Sequence, residues 1–354
     1  MQKGIKQITP GTVFKGDERI AIPINHSPLF RSHIAIQNGV EKNLLFKTWG
    51  GLGDQICAEP TLRYVVKNFK NARVSLASEK PELFDHLHFD KVFDLQDSRP
   101  AWEKFLVFDT ITPPNDTNMV WQFFSHMLTN CVDFPSLCAI RSQLPVKDRE
   151  IHVRPTEPDS ELELFPGVGG VLVHAGRHWP SKTFPKDWWD RVLNELILQG
   201  HTPVLIGANT DDNRGTVDVN PQGCIDLRNK TSVNDIVWLC QRAKVLVTND
   251  SSPLHMAASR DPADETTGKT WIGYIATCKH PDFITHWRRN LQGKLEWQFR
   301  ECNLGTGGMW DIIDNCPNNS QEITVDEIDE ATLRSWLPEP EYVANWVSSK
   351  VDGF

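Results

Sequence analysis

At 354 residues the chain exceeds the roughly 100–200 of an ordinary domain, so two domains are expected. With 39% hydrophobic and 23% charged residues it has the make-up of a packed globular protein, and a formal net charge of −9 argues against coating nucleic acid through broad electrostatics, although a local basic groove remains open to it. No apolar run reaches the roughly 20 residues of a membrane span, and Met1-Gln2-Lys3-Gly4-Ile5 lacks the apolar core of an export signal, so a cytoplasmic protein is expected.

Residues 1–43 are weakly patterned. Ile20–Ile24 and His33–Ile36 read as short strands, a candidate hairpin. From Leu44 the rhythm changes. Leu44-Leu45-Phe46 is an apolar strand, Gly50-Gly51-Leu52-Gly53-Asp54 a turn, and Leu62, Val65, Val66 and Phe69 recur at helical spacing. Pro60 either kinks that helix or marks a start near Glu59. Arg73–Ala77, Lys91–Phe93 and Phe105–Phe108 read as further buried strands, and Val120–Leu128 as a helix. Such alternation predicts a parallel sheet covered by helices.

Residues 155–167 are acidic and proline-rich, which suits a linker. Beyond them Val171-Leu172-Val173 is a strand, and Trp188–Leu198 a helix closed by Gly200. Pro203–Ile206 is the next strand, ending at Gly207. Ser232 with Asp235 starts a helix that turns Val233, Ile236, Val237 and Cys240 inward. Val245-Leu246-Val247 leads into Asn249-Asp250-Ser251-Ser252-Pro253, and Trp271–Ile275 follows as a strand. In doubly wound sheets ligands sit where loops leave the carboxyl ends of strands. That rule selects residues 50–54, 174–186 and 249–255.

Each loop carries suitable chemistry. After Val245–Val247, a helix start at Ser251-Ser252-Pro253 offers backbone N–H groups and hydroxyls to a phosphate, although Asp250 or Ser251 acting only as a cap accounts for the same residues. His174-Ala175-Gly176-Arg177 leaves a strand end, and Arg177 and Lys182 bring positive charge to a diphosphate. Gly50–Asp54 permits a tight turn. Its Asp54 is a candidate general base or, more simply, a helix cap. The loop has neither the dinucleotide G-x-G-x-x-G nor a P-loop lysine, which argues against a nicotinamide dehydrogenase.

Eight cysteines form no Cys-x-x-Cys pair and no Asp-x-Asp occurs, so no metal site is expected and reduced thiols are. Thirteen tryptophans are many for this length, most of them expected in the core. Between Lys279 and Arg300, cations such as Arg288, Arg289, Lys294 and Arg300 alternate with Phe283, Trp287, Trp297 and Phe299. That pattern suits base stacking, or an irregular segment packing its tryptophans inward.

Taken together, the G-G-L-G-D turn, His174-Ala175-Gly176 with Lys182, and Asn249-Asp250-Ser251 with His255 resemble glycosyltransferase family 9, the ADP-heptose:lipopolysaccharide heptosyltransferases, over roughly residues 44–276. The resemblance implies the α/β GT-B fold, two Rossmann-like domains facing each other across a cleft. Residues 1–154 would be the acceptor-side domain, 155–167 the linker, 168–330 the nucleotide-sugar domain, and 331–354 a helical tail available to pack back on the N-terminal domain. It implies inverting transfer with Asp54 as base and no cofactor or bound metal. The donor would be held by His174, Gly176, Arg177, Lys182, Gly207, Asp211 (or Asp212), Asp250, Ser251, Ser252 and His255. On the acceptor side stand Gly51, Gly53, Gln55, Trp287 and Arg288. The expected partners are a nucleotide-sugar donor and a lipopolysaccharide-type glycan. The alternatives are a hydroxymethylated DNA base as acceptor, or a non-catalytic nucleotide-sugar-binding protein.

Overall fold

The computed structural model describes residues 43–95, 105–111, 170–177, 182–208, 215–220, 222–275 and 330–352, most of 134–156, and five short strands outside these spans. The chain divides into two compact units, Met1–Arg154 with Asp282–Glu296, and Pro155–Pro281 with Trp297–Phe354.

The first unit begins with strands β1 (Ile8–Thr9), β2 (Thr12–Lys15) and β3 (Glu18–Ala21) in an antiparallel sheet. Ile20, in the first of the two predicted strands, pairs with Val13 of β2, the strand just before it. Residues 33–36 lie outside the described ones.

The main sheet of this unit contains β4 (Asn43–Thr48), β5 (Arg73–Ser78), β6 (Lys91–Asp94) and β7 (Leu106–Asp109), in the order β6-β5-β4-β7. All three pairings are parallel. Leu44, Leu45 and Phe46 are fully buried, as expected for a strand covered on both faces, and Phe46 stacks on Phe108 with ring centroids 4.6 Å apart. Helix α1 (Leu52–Cys57) follows β4, and α2 (Glu59–Asn68) starts anew at Glu59 with Pro60 in its first turn. It buries Leu62 and Val65, with Phe69 just beyond its end. Helix α3 (Phe134–Arg141) packs against both. The predicted helix at 120–128 lies outside the described residues.

The second unit contains β8 (Val171–His174), β9 (Gly176–Arg177), α4 (Lys186–Leu198), β10 (Val204–Leu205), β11 (Gly215–Thr216), β12 (Ile225–Asp226), α5 (Val233–Arg242), β13 (Val245–Thr248), α6 (Ser252–Ala258) and β14 (Trp271–Tyr274). The five-stranded sheet runs β12-β10-β8-β13-β14, parallel throughout, while β9 and β11 pair antiparallel beside it. Gly200 takes φ +87° just past the C-cap of α4, as a left-handed terminator must. The N-terminus of α5 is closed by a reciprocal box: Asp235 N–H donates to Ser232 Oγ at 3.2 Å, and Ser232 N–H to Asp235 Oδ2 at 2.7 Å.

Two further helices, α7 (Glu330–Trp336) and α8 (Pro340–Val351), complete this unit. In this tail, which the sequence leaves available to the N-terminal domain, Val343, Ala344 and Val347, all fully buried, share one core with Trp188, Val192 and Leu196 of α4. Trp188 Nε1 donates to Pro338 O at 2.9 Å, and Gln199 Nε2 to Asn345 Oδ1 at 2.9 Å. The apolar stripe of α4 is covered in this way. Strands β15 (Trp287–Arg289) and β16 (Leu295–Trp297) pair with each other.

Candidate active site

In the second sheet β8 and β13 are neighbours, with Thr248 opposite His174. The chain leaves β8 toward β10 and β12 on one side, and β13 toward β14 on the other. Their outgoing loops therefore diverge at a switch in strand order, where doubly wound sheets bind ligands.

Asn249 holds the two loops together. Its side-chain amide, only 2% exposed as a residue, donates to Gly176 O at 2.9 Å and to Lys182 O. Lys182 Nζ forms an ion pair with Asp250 Oδ2, with side chains 8% and 10% exposed. A cation so deeply placed needs an anion beside it, and the pair, neutral as a whole, fixes the Lys182 ammonium at the strand ends. Backbone packing is equally close. A Cβ on Gly176 would collide with Asn249 Oδ1 and lie 2.9 Å from His174 Cε1. Gly207, at φ +121°, would bring one within 2.5 Å of Thr216 Cγ2.

His174 sits inside this knot. Its Nδ1 lies 3.0 Å from Ser251 Oγ and 3.3 Å from Thr248 Oγ1, and those two hydroxyls are 3.0 Å apart. Burial pushes the imidazole down to about 4 from an ordinary 6.5, so it is neutral at physiological pH. Ser251 is the N-cap of α6, but its hydroxyl makes no capping bond and is used on His174 instead. The capping alternative for Ser251 therefore does not hold. Ser252 opens the helix half-exposed, and His255 is buried within it, on a helix packed against β13, β14 and α5. Arg177 is half-buried on β9, opposite Gly215. Asp211 and Asp212 lie outside the described residues.

In the first unit the equivalent switch lies between β4 and β7. Gly50 takes φ +92° to turn the chain, and Asp54 Oδ2 accepts the Gly51 N–H at 2.9 Å. Gly51 has no side chain, so only the returning half of a capping box exists here. Asp54 is half-buried, as is Gly53, while Gly51 is exposed. Gln55, assigned to the acceptor side, is 1% exposed; its amide donates to Gly50 O at 3.1 Å and accepts from Ser78 Oγ at 2.9 Å. It shapes the turn from within and is not presented to a ligand. Asp109 on β7 accepts from Trp49 Nε1 at 3.2 Å and pairs with Lys47 at 3.3 Å. Arg141 completes the neighbourhood: burial lowers its guanidinium's pKa, opposed by the charges of Cys138, Asp54 and Asp109. Trp287 and Arg288 lie on β15, whose side chains fall outside the described residues.

Sequence reasoning missed Thr248 as a site residue and Asn249 as the brace between loops. The available signal was their position, the last residue of a central strand and the one after it.

Comparison with known proteins agrees with this architecture. Residues 95–262 match the family model for glycosyltransferase family 9 (heptosyltransferase). Lipooligosaccharide heptosyltransferase 2 of Haemophilus influenzae is 25% identical over 130 residues, 33% of this chain and 38% of that protein. Lipopolysaccharide heptosyltransferase 2 of Salmonella typhimurium is 31% identical over 88 residues, 23% of this chain and 25% of that protein. The aligned stretches thus span well under half of these relatives. Among solved structures, a family 9 glycosyltransferase from Veillonella parvula superposes with TM-score 0.56 at 12% identity, covering 88% of this chain and 98% of that one. The iron-containing dodecameric glycosyltransferase TibC of enterotoxigenic E. coli gives 0.58 at 12% identity, covering 88% and 76%. E. coli ADP-heptose lps heptosyltransferase II gives 0.51 at 13%, covering 88% and 99%. The fold is that of the GT-B glycosyltransferases. Among the described residues of this chain, no group of three or more His, Cys, Asp or Glu is arranged to hold a metal, and no helix is long and apolar enough to cross a membrane.

Proposed function

Since the chain carries a glycosyltransferase family 9 (heptosyltransferase) domain, we propose that it moves a sugar from a nucleoside-diphosphate sugar onto a glycan hydroxyl with inversion at the anomeric carbon. The observation that carries this reading is the Asn249-braced pair of loops, which holds Lys182 against Asp250, the residue before Ser251, at the switch point of the second sheet. In transfer the bond from the anomeric carbon to the phosphate oxygen breaks, and the acceptor oxygen bonds to the opposite face. The departing diphosphate gains negative charge, which Lys182 and Arg177 are suited to neutralise, with the Ser252 hydroxyl as a further donor. Asp250, the partner of Lys182 in the free site, gives up that ammonium in part when the diphosphate arrives. Asp54 accepts the acceptor's proton. With fixed cations in this role, the reaction proceeds without a divalent metal.

The donor named in the structure of a TibC complex is ADP-D-beta-D-heptose, and an ADP-sugar of that kind is the first donor to test on this chain. The relatives' names point to a lipopolysaccharide-type glycan as acceptor. Lys182→Ala is expected to weaken nucleoside-diphosphate binding by about tenfold or more, since a charge-assisted hydrogen bond contributes roughly 1.5–3 kcal/mol. Asp54→Asn is expected to lower kcat by about 10²–10⁴-fold with ADP affinity unchanged. Nucleotide release assays and titration calorimetry separate the two, and a parallel loss of turnover and ADP affinity in Asp54→Asn contradicts the base assignment. Turnover that persists in excess EDTA agrees with metal independence.

A further inference from the structure

We propose that Trp49 is the surface on which the acceptor's sugar ring stacks, and that it selects a glycan over a nucleic acid. The proposal rests on the reading that the first unit's Gly50–Asp54 loop receives the acceptor. Trp49 is 38% exposed, directly before that loop, whereas Trp188, Trp189 and Trp238 are each less than 10% exposed. The ring does not hang free. Its Nε1 lies 3.2 Å from both oxygens of Asp109, and that carboxylate also accepts the Ile111 N–H at 2.9 Å and pairs with Lys47 at 3.3 Å.

A large apolar side chain left in water and then fixed by a braced carboxylate brings contact area to a ligand at little further loss of rotamer freedom. The indole N–H is already bonded to Asp109, so what remains for a ligand is the ring itself, whose face carries the negative end of its quadrupole. The C–H groups on the flat side of a sugar ring are weakly positive and fit that face. A nucleobase also stacks, but it brings phosphates, and beside the indole stand the carboxylates of Asp54 on the loop and of Asp109 on β7, the latter paired with Lys47, within a chain of net charge −9. Gly50 reverses the chain between Trp49 and Asp54, and Gln55 bonds back to Gly50 O, so ring and carboxylate belong to one fixed turn. A sugar lying on the indole has its hydroxyls at its rim, where a nearby carboxylate accepts a proton.

The test uses the full chain, ADP-heptose as donor and deacylated lipopolysaccharide inner-core oligosaccharide as acceptor, with calorimetric titration of the oligosaccharide alongside turnover. Trp49→Ala is expected to raise the acceptor KM and Kd by about tenfold, leaving the donor KM unchanged, with Trp49→Phe recovering most of the loss. An acceptor affinity unmoved by Trp49→Ala overturns the proposal. So do equal losses in both variants with a lowered Tm, which make Trp49 a brace for Asp109 instead. Binding of a hydroxymethylated DNA oligonucleotide in place of the oligosaccharide overturns it as well. Asp54→Asn is run in parallel: if it abolishes turnover while Trp49→Ala does nothing, the transferase reading survives and the stacking role falls. The reverse pattern removes the base assignment alone.

Discussion

His174 is held neutral by its burial. Its Nδ1 is bonded to two hydroxyls, and its ring is wedged against the backbone at Gly176 and Gly207. The folded value near 4 lies below the unfolded 6.5, so this burial contributes full stability above pH 6.5 and loses it as pH falls toward 4. The loss amounts to about 3 kcal/mol. Urea midpoints measured between pH 7 and 4.5 should drop accordingly, and His174→Asn should flatten that slope. Gly176→Ala forces a methyl into Asn249 Oδ1 and His174 Cε1, so it should separate the two loops. The expected result is a lower Tm together with weaker ADP binding, both visible in a thermal-shift titration.

At the scale of elements, Glu59 in the first turn of α2 ties the end of the first unit's chain to its helices. It is fully buried, accepts from Arg63 Nε at 2.8 Å and from the His152 N–H at 2.9 Å, and meets His86 Nε2 at 3.3 Å. Burial raises its pKa, but the bond from His86 and the charges of Arg63, His152 and His86 outweigh that, leaving a net fall from 4.5. A depressed carboxylate stabilises above its unfolded value and loses that contribution as pH falls through the folded one, so this network fails below about pH 4.5. Glu59→Gln leaves Arg63 with Asp148 as its remaining carboxylate and should cost about 2 kcal/mol in urea unfolding, the worth of a charge-assisted hydrogen bond. The tail helix depends on dispersion and apolar burial instead. Val347→Ala, at a fully buried position against α4, should cost about 2 kcal/mol by the same measurement, with no pH dependence.

Across the whole molecule, charge and architecture point the same way. A net charge of −9 gives duplex DNA little to bind, and gel-shift titration at about 0.15 M salt should show no complex at micromolar protein. The two sheets repeat one strand order, with successive strands added to one side of the first and the fourth placed on its other side. Each unit therefore has its own switch point, one with the Lys182–Asp250 pair and nearby hydroxyls, the other with the Lys47–Asp109 pair, Asp54 and an exposed indole. In the proposed function the former takes the donor diphosphate and the latter the nucleophilic hydroxyl.

Much of this was readable from residue order. Apolar runs such as Leu44–Phe46 and Val245–Val247 announced buried parallel strands, because a strand covered on both faces has no polar alternation to hide it. Gly200 and the Ser232/Asp235 box marked helix ends, since capping is chemistry local to four or five residues. Loops 50–54, 174–186 and 249–255 followed from the rule for strand ends. What periodicity does not encode is which side chains turn toward one another. Ser251 read more readily as a cap than as a ligand group, until His174, 77 residues away, claimed its hydroxyl. Gln55 looked like an acceptor contact and proved to be an internal brace. Trp49 drew no notice among thirteen tryptophans, because exposure belongs to a surface and not to a string. The tail's destination was also decided in three dimensions, where the bare stripe of α4 offered it apolar area. Local patterns and their caps were thus determined by the sequence alone; partnerships between distant residues, set by packing and desolvation, awaited the tertiary structure.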